Sequence, residues 1–185
     1  LSRGKAGAAS FAQIAQEVLS GEYFRREGLE NLVEDDFFQW VRREEARDIL
    51  APLWERTLAQ MMTYDLGRLN QDVLKGVYQD LVDPKDRHDL GEYYTPEWLC
   101  EAIVEEVLPS TGFPSVLDPT CGSGSFLRAS IAHMLAANPS GSDASRLASV
   151  LSSVVGIDIH PLAVTIARAT YVLALRDLVK ATKRP

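Results

Sequence analysis

The sequence predicts an α/β chain: a helical N-terminal region over residues 1–88, then the opening part of a doubly wound parallel sheet over residues 89–185. Three observations lead there. Apolar residues recur at helical spacing through most of the first eighty residues. Two short apolar runs, a buried strand expected over Ser115-Val116-Leu117-Asp118 and a second strand over Val154-Val155-Gly156-Ile157-Asp158, each end in an acid. Each run is followed by a longer stretch with a helical face, so residues 115–180 read strand, helix, strand, helix.

In chain order, Ser10 to Leu19 carries Phe11, Ile14, Ala15, Val18 and Leu19 on one helical face, and Gly21 is placed to end it. A longer periodic stretch runs from about Glu34 to Tyr64, where Pro52 is expected to kink or divide the helix. Leu69 to Leu81 is a further helical stretch. The charged loop Asp83 to Asp89, with Pro84 in it, marks the boundary. Thr95-Pro96-Glu97 opens the next helix: Thr95 is expected at the N-cap, Pro96 in the first turn and Glu97 at the positive end. That helix reaches about Leu108. After the first strand, Pro119 to Ser125 is a loop and Phe126 to Ala137 a helix. A polar loop over Asn138 to Ser145 leads to a short helix over Arg146 to Ser152. The second strand then feeds one long helix, Pro161 to Lys180.

The composition limits what the chain can be. With 185 residues, 46% hydrophobic, it can bury one sizeable core with an appendage, or two small ones. The 24% charged fraction fits a soluble globular protein. No apolar run nears the ~20 residues that span a bilayer, and Leu1 to Ala9 lacks a signal-peptide pattern. Residue 1 is Leu rather than Met, as expected of a piece of a longer protein. Cys100 and Cys121 make no disulfide framework, so a cytoplasmic location is expected. His88, His133 and His160 lack metal-ligand spacing, so no metal is expected.

Three segments carry chemistry. In Asp118-Pro119-Thr120-Cys121-Gly122-Ser123-Gly124-Ser125-Phe126, the glycines Gly122 and Gly124 let backbone approach a ligand closely, at the head of a helix that favours negative groups. It is not a phosphate loop, because no Gly-Lys-Ser/Thr follows. It also lacks the third glycine of a dinucleotide fingerprint and places an acid directly after the strand. That acid suits a ligand with a cationic amino group, as in S-adenosylmethionine; a tight strand-to-helix turn is the simpler alternative. In Gly156-Ile157-Asp158-Ile159-His160-Pro161, Asp158 is placed to accept both hydroxyls of a ribose, and Ile159 to pack on an adenine face. Capping of the next helix by Asp158 is the alternative. The two acids are 40 residues apart, against about 20 in the usual crossover, so an insertion is expected over Asn138 to Ser152. The third segment is Gly91-Glu92-Tyr93-Tyr94-Thr95-Pro96, whose helix start offers a hydroxyl and free amides to a carboxylate; a plain helix start is the simpler alternative.

Taken in chain order, Gly91 to Pro96, then Asp118 to Phe126, then Gly156 to Pro161, the three segments resemble the N6-adenine DNA methyltransferases. They look most like type I modification subunits and the fused methylase-nucleases and phage-defence methylases related to them. The resemblance covers about residues 75–180 and implies a Rossmann-like methyltransferase sheet, truncated here. It implies that Tyr94 and Thr95 hold the methionine carboxylate of S-adenosylmethionine, and that Asp118 engages the amino end. Gly122 and Gly124 would give backbone access, Asp158 would bind the ribose and Ile159 would line the adenine pocket. Phe126 would be pocket wall or core. Cys121 matches the family's loop and has no paired base that would make it a nucleophile. The family's catalytic signature, Asn or Asp, then Pro-Pro, then Tyr or Phe, does not occur in the 185 residues, so no catalytic residue is named.

The implied partners are DNA and a specificity or restriction subunit, with no membrane. Residues 1–90 hold 12 basic and 17 acidic side chains and the rest 7 and 9, so neither half offers the basic stripe that phosphate contacts need. Most DNA contacts are therefore expected outside these residues. A truncated sheet would leave an edge through which two copies could pair. Two other functions fit the residues: an RNA or protein methyltransferase sharing the cofactor fold, and a non-catalytic assembly module.

Overall fold

A computed structural model of the chain describes residues 16–18, 20–26, 40, 43–63 and 95–182. The chain divides into two compact units, Leu1–Leu69 and Asn70–Pro185.

In the first unit, residues 16–18 are helical and Gly21, at φ 71°, closes the turn that follows. A short helix absent from the sequence reading comes next, α1 (Glu22–Arg26). Helix α2 (Glu44–Met61) runs unbroken through Pro52, so the proline does not divide it in two. Pro52 is exposed, so the hydrogen bond it removes is lost on the solvent side, where water can replace it. The helix expected over Leu69 to Leu81 lies outside the described residues, as do Phe37, Phe38 and Val41.

The second unit begins, among the described residues, with α3 (Glu97–Val107). Then come β1 (Val116–Asp118), α4 (Ser125–Ala137), α5 (Asp143–Ser153), β2 (Val154–Gly156), α6 (Pro161–Ala174) and α7 (Arg176–Thr182). The strands pair in parallel, with Val116 opposite Val154, Leu117 opposite Val155 and Asp118 opposite Gly156. The expected crossover insertion is a full helix, α5, longer than the sequence reading gave it. Ser142 caps it by accepting the Ser145 N–H at 3.2 Å.

Two polar side chains lock this insertion to the end of α4. Arg146 donates to the carbonyls of Leu135 (3.1 Å) and Asn138 (3.0 Å), satisfying groups that the helix end leaves open. Asn138 exchanges hydrogen bonds with the backbone of Gly112 and donates to the Met134 carbonyl.

The core lies between the strands and the helices. Leu127, Ile131 and Met134 from α4 meet Val150 of α5, Val154 of β2, and Leu175 and Leu178. Full burial of side chains such as Ile131 and Met134 contributes about 1.5–3 kcal/mol each. The Tyr171 hydroxyl lies 3.1 Å from the Val154 carbonyl and 3.3 Å from that of Val150, and so ties α6 to β2. Burial pushes the Tyr171 pKa up to about 12.

Two expectations are corrected here. The single helix over Pro161 to Lys180 is broken at Leu175, whose backbone leaves the helical region at ψ 0°. The turn lets Leu175 and Leu178 both reach the core, and no glycine or proline marks it in the sequence. The first strand, expected to be buried, is covered on one face only. Val116 and Val154 point into the core, whereas Leu117 is 60% and Val155 49% exposed. Side chains alternate along a strand, and the helices described here pack on one side.

Candidate functional site

The site forms where β1 and β2 end. Their hydrogen-bond ladder continues past the last paired residues: Ile157 N–H donates to the Asp118 carbonyl at 2.8 Å, and Cys121 N–H donates to the Ile157 carbonyl at 2.9 Å. The loop after β1 is thereby stitched to the segment after β2. The Asp158 carboxylate closes the arrangement. One oxygen accepts Gly122 N–H at 2.8 Å and the other accepts His160 N–H at 2.8 Å. Each oxygen keeps a further lone pair for another donor. Asp158 does not cap α6; His160 does, its Nδ1 accepting Ala163 N–H at 3.4 Å.

Asp118 accepts Thr120 N–H at 3.2 Å. Burial lifts its pKa above the ordinary carboxylate value; the Thr120 bond opposes this and the nearby charge of Asp158 adds to it. Among the described residues no cation pairs with Asp118 or Asp158. The two strand ends therefore present a concentration of negative charge with no counterion among the described residues.

Glycine is required at the loop's closest approach. Gly124 has φ +86°, and a Cβ there would stand 3.2 Å from the Ala167 Cα of α6. Gly122, at φ +51°, faces open space, with nothing within 4 Å of the position of a Cβ. A ligand can thus come close to its backbone. Cys121 points inward and is buried. Burial first, then Asp118 and Asp158, pushes its thiol up to about 11. A neutral thiol is no nucleophile.

That shift is testable. The folded pKa lies above the unfolded one, so the stability held by the neutral thiol is intact below the ordinary value of 9.0 and lost as pH rises through about 11. Iodoacetamide labelling at Cys121, read by peptide mass, is expected to stay slow at pH 8–9 and to accelerate only toward pH 11. Half-maximal labelling near the ordinary value of 9.0 would show the thiol to be unperturbed.

The structure brings Asp118, Gly122, Gly124 and Asp158 into one hydrogen-bonded unit. Ile159 is 86% exposed beside it. Tyr94 lies outside the described residues. Thr95 is not the N-cap of α3; Pro96 is, and no side chain caps the helix. Pro96 takes that position because its carbonyl receives the first helical bonds, from Leu99 and Cys100 N–H. Thr95 stands one residue earlier, and its carbonyl lies 3.9 Å from the Cys100 Sγ. Phe126 packs on the seam between α3 and α4, against the cluster of Cys100, Val104 and Ala129, which makes it core. Two contributors were missed in the sequence. Gly156 lies against Leu127 and Cys121, and its only signal is a glycine inside an apolar strand. Arg128 pairs with Glu97 and Glu101, and nothing local marks it.

Comparison by sequence finds related proteins. The family model described as N-6 DNA Methylase matches residues 69–181. The adenine-specific methyltransferase PglX of Streptomyces coelicolor is 34% identical over 111 residues, covering 55% of this chain and 9% of that protein. The chain thus spans less than a tenth of the length of this relative. No solved structure matches it.

Proposed function

The chain belongs to the N-6 DNA methylase family, and from that premise we propose that it is the S-adenosylmethionine-binding part of an adenine-specific DNA methyltransferase. The observation that carries this reading is the pair of strand-end carboxylates, uncompensated by any described cation, beside a glycine loop open to a ligand. Such a pair is matched by a ligand bearing positive charge and vicinal hydroxyls.

In this reading Asp118 takes the ammonium group. Asp158 uses its remaining lone pairs for the ribose hydroxyls. Ile159, exposed to solvent, covers the adenine. Tyr94 and Thr95 receive the methionine carboxylate, and Gly122 and Gly124 admit the ligand to the backbone. When bound, the cofactor supplies an electrophilic methyl group on its sulfonium. The chain's own residues hold and orient it; the transfer step is assigned to none of them, since no Asn/Asp-Pro-Pro-Tyr/Phe tetrapeptide occurs in the sequence. The parallel pair of strands is read as the start of a Rossmann-like sheet. DNA is the substrate, through a larger restriction-modification or phage-defence protein acting in the cytoplasm. No described helix is long and apolar enough to cross a membrane.

Titration calorimetry with S-adenosylmethionine tests the reading through Asp118→Asn. Losing a charge-assisted hydrogen bond of about 1.5–3 kcal/mol should weaken binding by roughly 10- to 100-fold. The thermal midpoint without cofactor should rise. The fold favours the neutral form of Asp118, so its charge counts against stability at neutral pH, and that cost fades as pH falls. Unchanged affinity would remove Asp118 from the site.

A further inference from the structure

We propose that Arg128 is a positioning residue that sets the methionine-carboxylate half of the site against the glycine loop. The inference rests on the reading that Thr95 receives that carboxylate. Thr95 precedes α3, whereas Gly122, Gly124 and both acids belong to the strand ends. Among the described residues no hydrogen bond joins Thr95 to the loop. What fixes their separation is the seam between α3 and α4.

Arg128 bridges that seam at its upper end. Its backbone N–H donates to the Gly124 carbonyl at 2.9 Å, within the first turn of α4. Its guanidinium pairs with Glu97, in the first turn of α3 and two residues after Thr95. It also pairs with Glu101, one turn later, at 2.7 Å. One side chain therefore connects the loop that admits the ligand to the helix that carries its carboxylate dock.

One guanidinium nitrogen, Nη2, reaches both carboxylates at once, and arginine keeps its charge at every accessible pH. The side chain is only 15% exposed, so these pairs are less screened than ordinary surface ones. Among the described residues its Nε is buried with no hydrogen-bond partner, a cost the arrangement tolerates while Nη2 holds both acids. Without Arg128, Glu97 and Glu101 would face each other as like charges one turn apart. The head of α3 would then shift from the loop, and displacements of an ångström are enough to spoil a binding geometry.

The test is calorimetry on the full-length protein with three ligands: S-adenosylmethionine, S-adenosylhomocysteine and 5′-methylthioadenosine, which lacks the amino-acid end. Arg128→Ala should weaken the first two by about tenfold and leave methylthioadenosine within about twofold, because only the carboxylate half is displaced. Arg128→Lys should recover part of the loss, and the exchange Arg128→Glu with Glu101→Arg should recover more. Equal weakening of all three ligands would make Arg128 a support of the fold alone, and no weakening would end the proposal. If the unmodified protein binds none of the three, the cofactor reading itself falls, and this inference with it.

Discussion

Asp158→Ala is expected to weaken S-adenosylmethionine binding by roughly a hundredfold or more and to lower the thermal midpoint in the same protein. Both effects come from one carboxylate. Its two oxygens accept Gly122 N–H and His160 N–H, each at 2.8 Å. Removing them leaves two backbone donors without partners and frees the loop from β2. Hydrogen bonds to a charged group are worth about 1.5–3 kcal/mol each, so a stability loss of a few kcal/mol is expected. The ribose contacts proposed for the remaining lone pairs vanish at the same time. Asp158→Asn separates the two effects. An amide keeps one acceptor oxygen and turns a donor toward the other N–H, so its stability should lie between the wild type and alanine. Calorimetry and thermal unfolding read both. A fall in stability with unchanged affinity would reduce Asp158 to a loop brace.

Gly156→Ala is the second large effect, and it acts through packing. A Cβ at this position would lie 2.6 Å from Leu127 Cδ1, 3.0 Å from Cys121 Sγ and 3.1 Å from Cys121 Cβ. Leu127 is 3% exposed and sits in the main core cluster, so it has little room to yield. Overpacking of this kind costs about 1–3 kcal/mol. The damage should spread to the proposed cofactor site, because Cys121 lies directly before Gly122. Urea unfolding of Gly156→Ala, of Leu127→Ala and of the double variant tests the cause. Leu127→Ala removes the nearest atom, so the double variant should lose clearly less than the two single losses combined. Simple additivity would show that Leu127 is not what resists the methyl group.

Much of this site was legible residue by residue. Asp118 and Asp158 each follow a short apolar run, and a parallel pair must place the ends of its strands side by side. Gly122 and Gly124 between a strand and a helix mark close backbone approach wherever they occur. The expected insertion between the strands is present as α5. Other details were not legible from residue type and periodicity. Thr95 has the composition of an N-cap, but the first helical carbonyl belongs to Pro96. The periodicity after Pro161 continues through Leu175, but the core needs a turn there. Pro52 looks like a helix breaker, yet its exposed setting allows α2 to pass through it.

The sequence by itself determined the order of elements around the site, the two acids that close its strands and the glycines of its loop, since each follows from local spacing and residue type. The tertiary structure alone decided how these parts are held. Gly122 is bonded to a carboxylate 36 residues away, and Arg128 reaches an acid 27 residues away on another helix. Gly156 is glycine because of Leu127 and Cys121, whose approach exists only after α4 has packed on β2. Side-chain bonds and steric limits across such separations leave no periodic trace in a sequence. They arise only when the backbone has already brought their partners within reach.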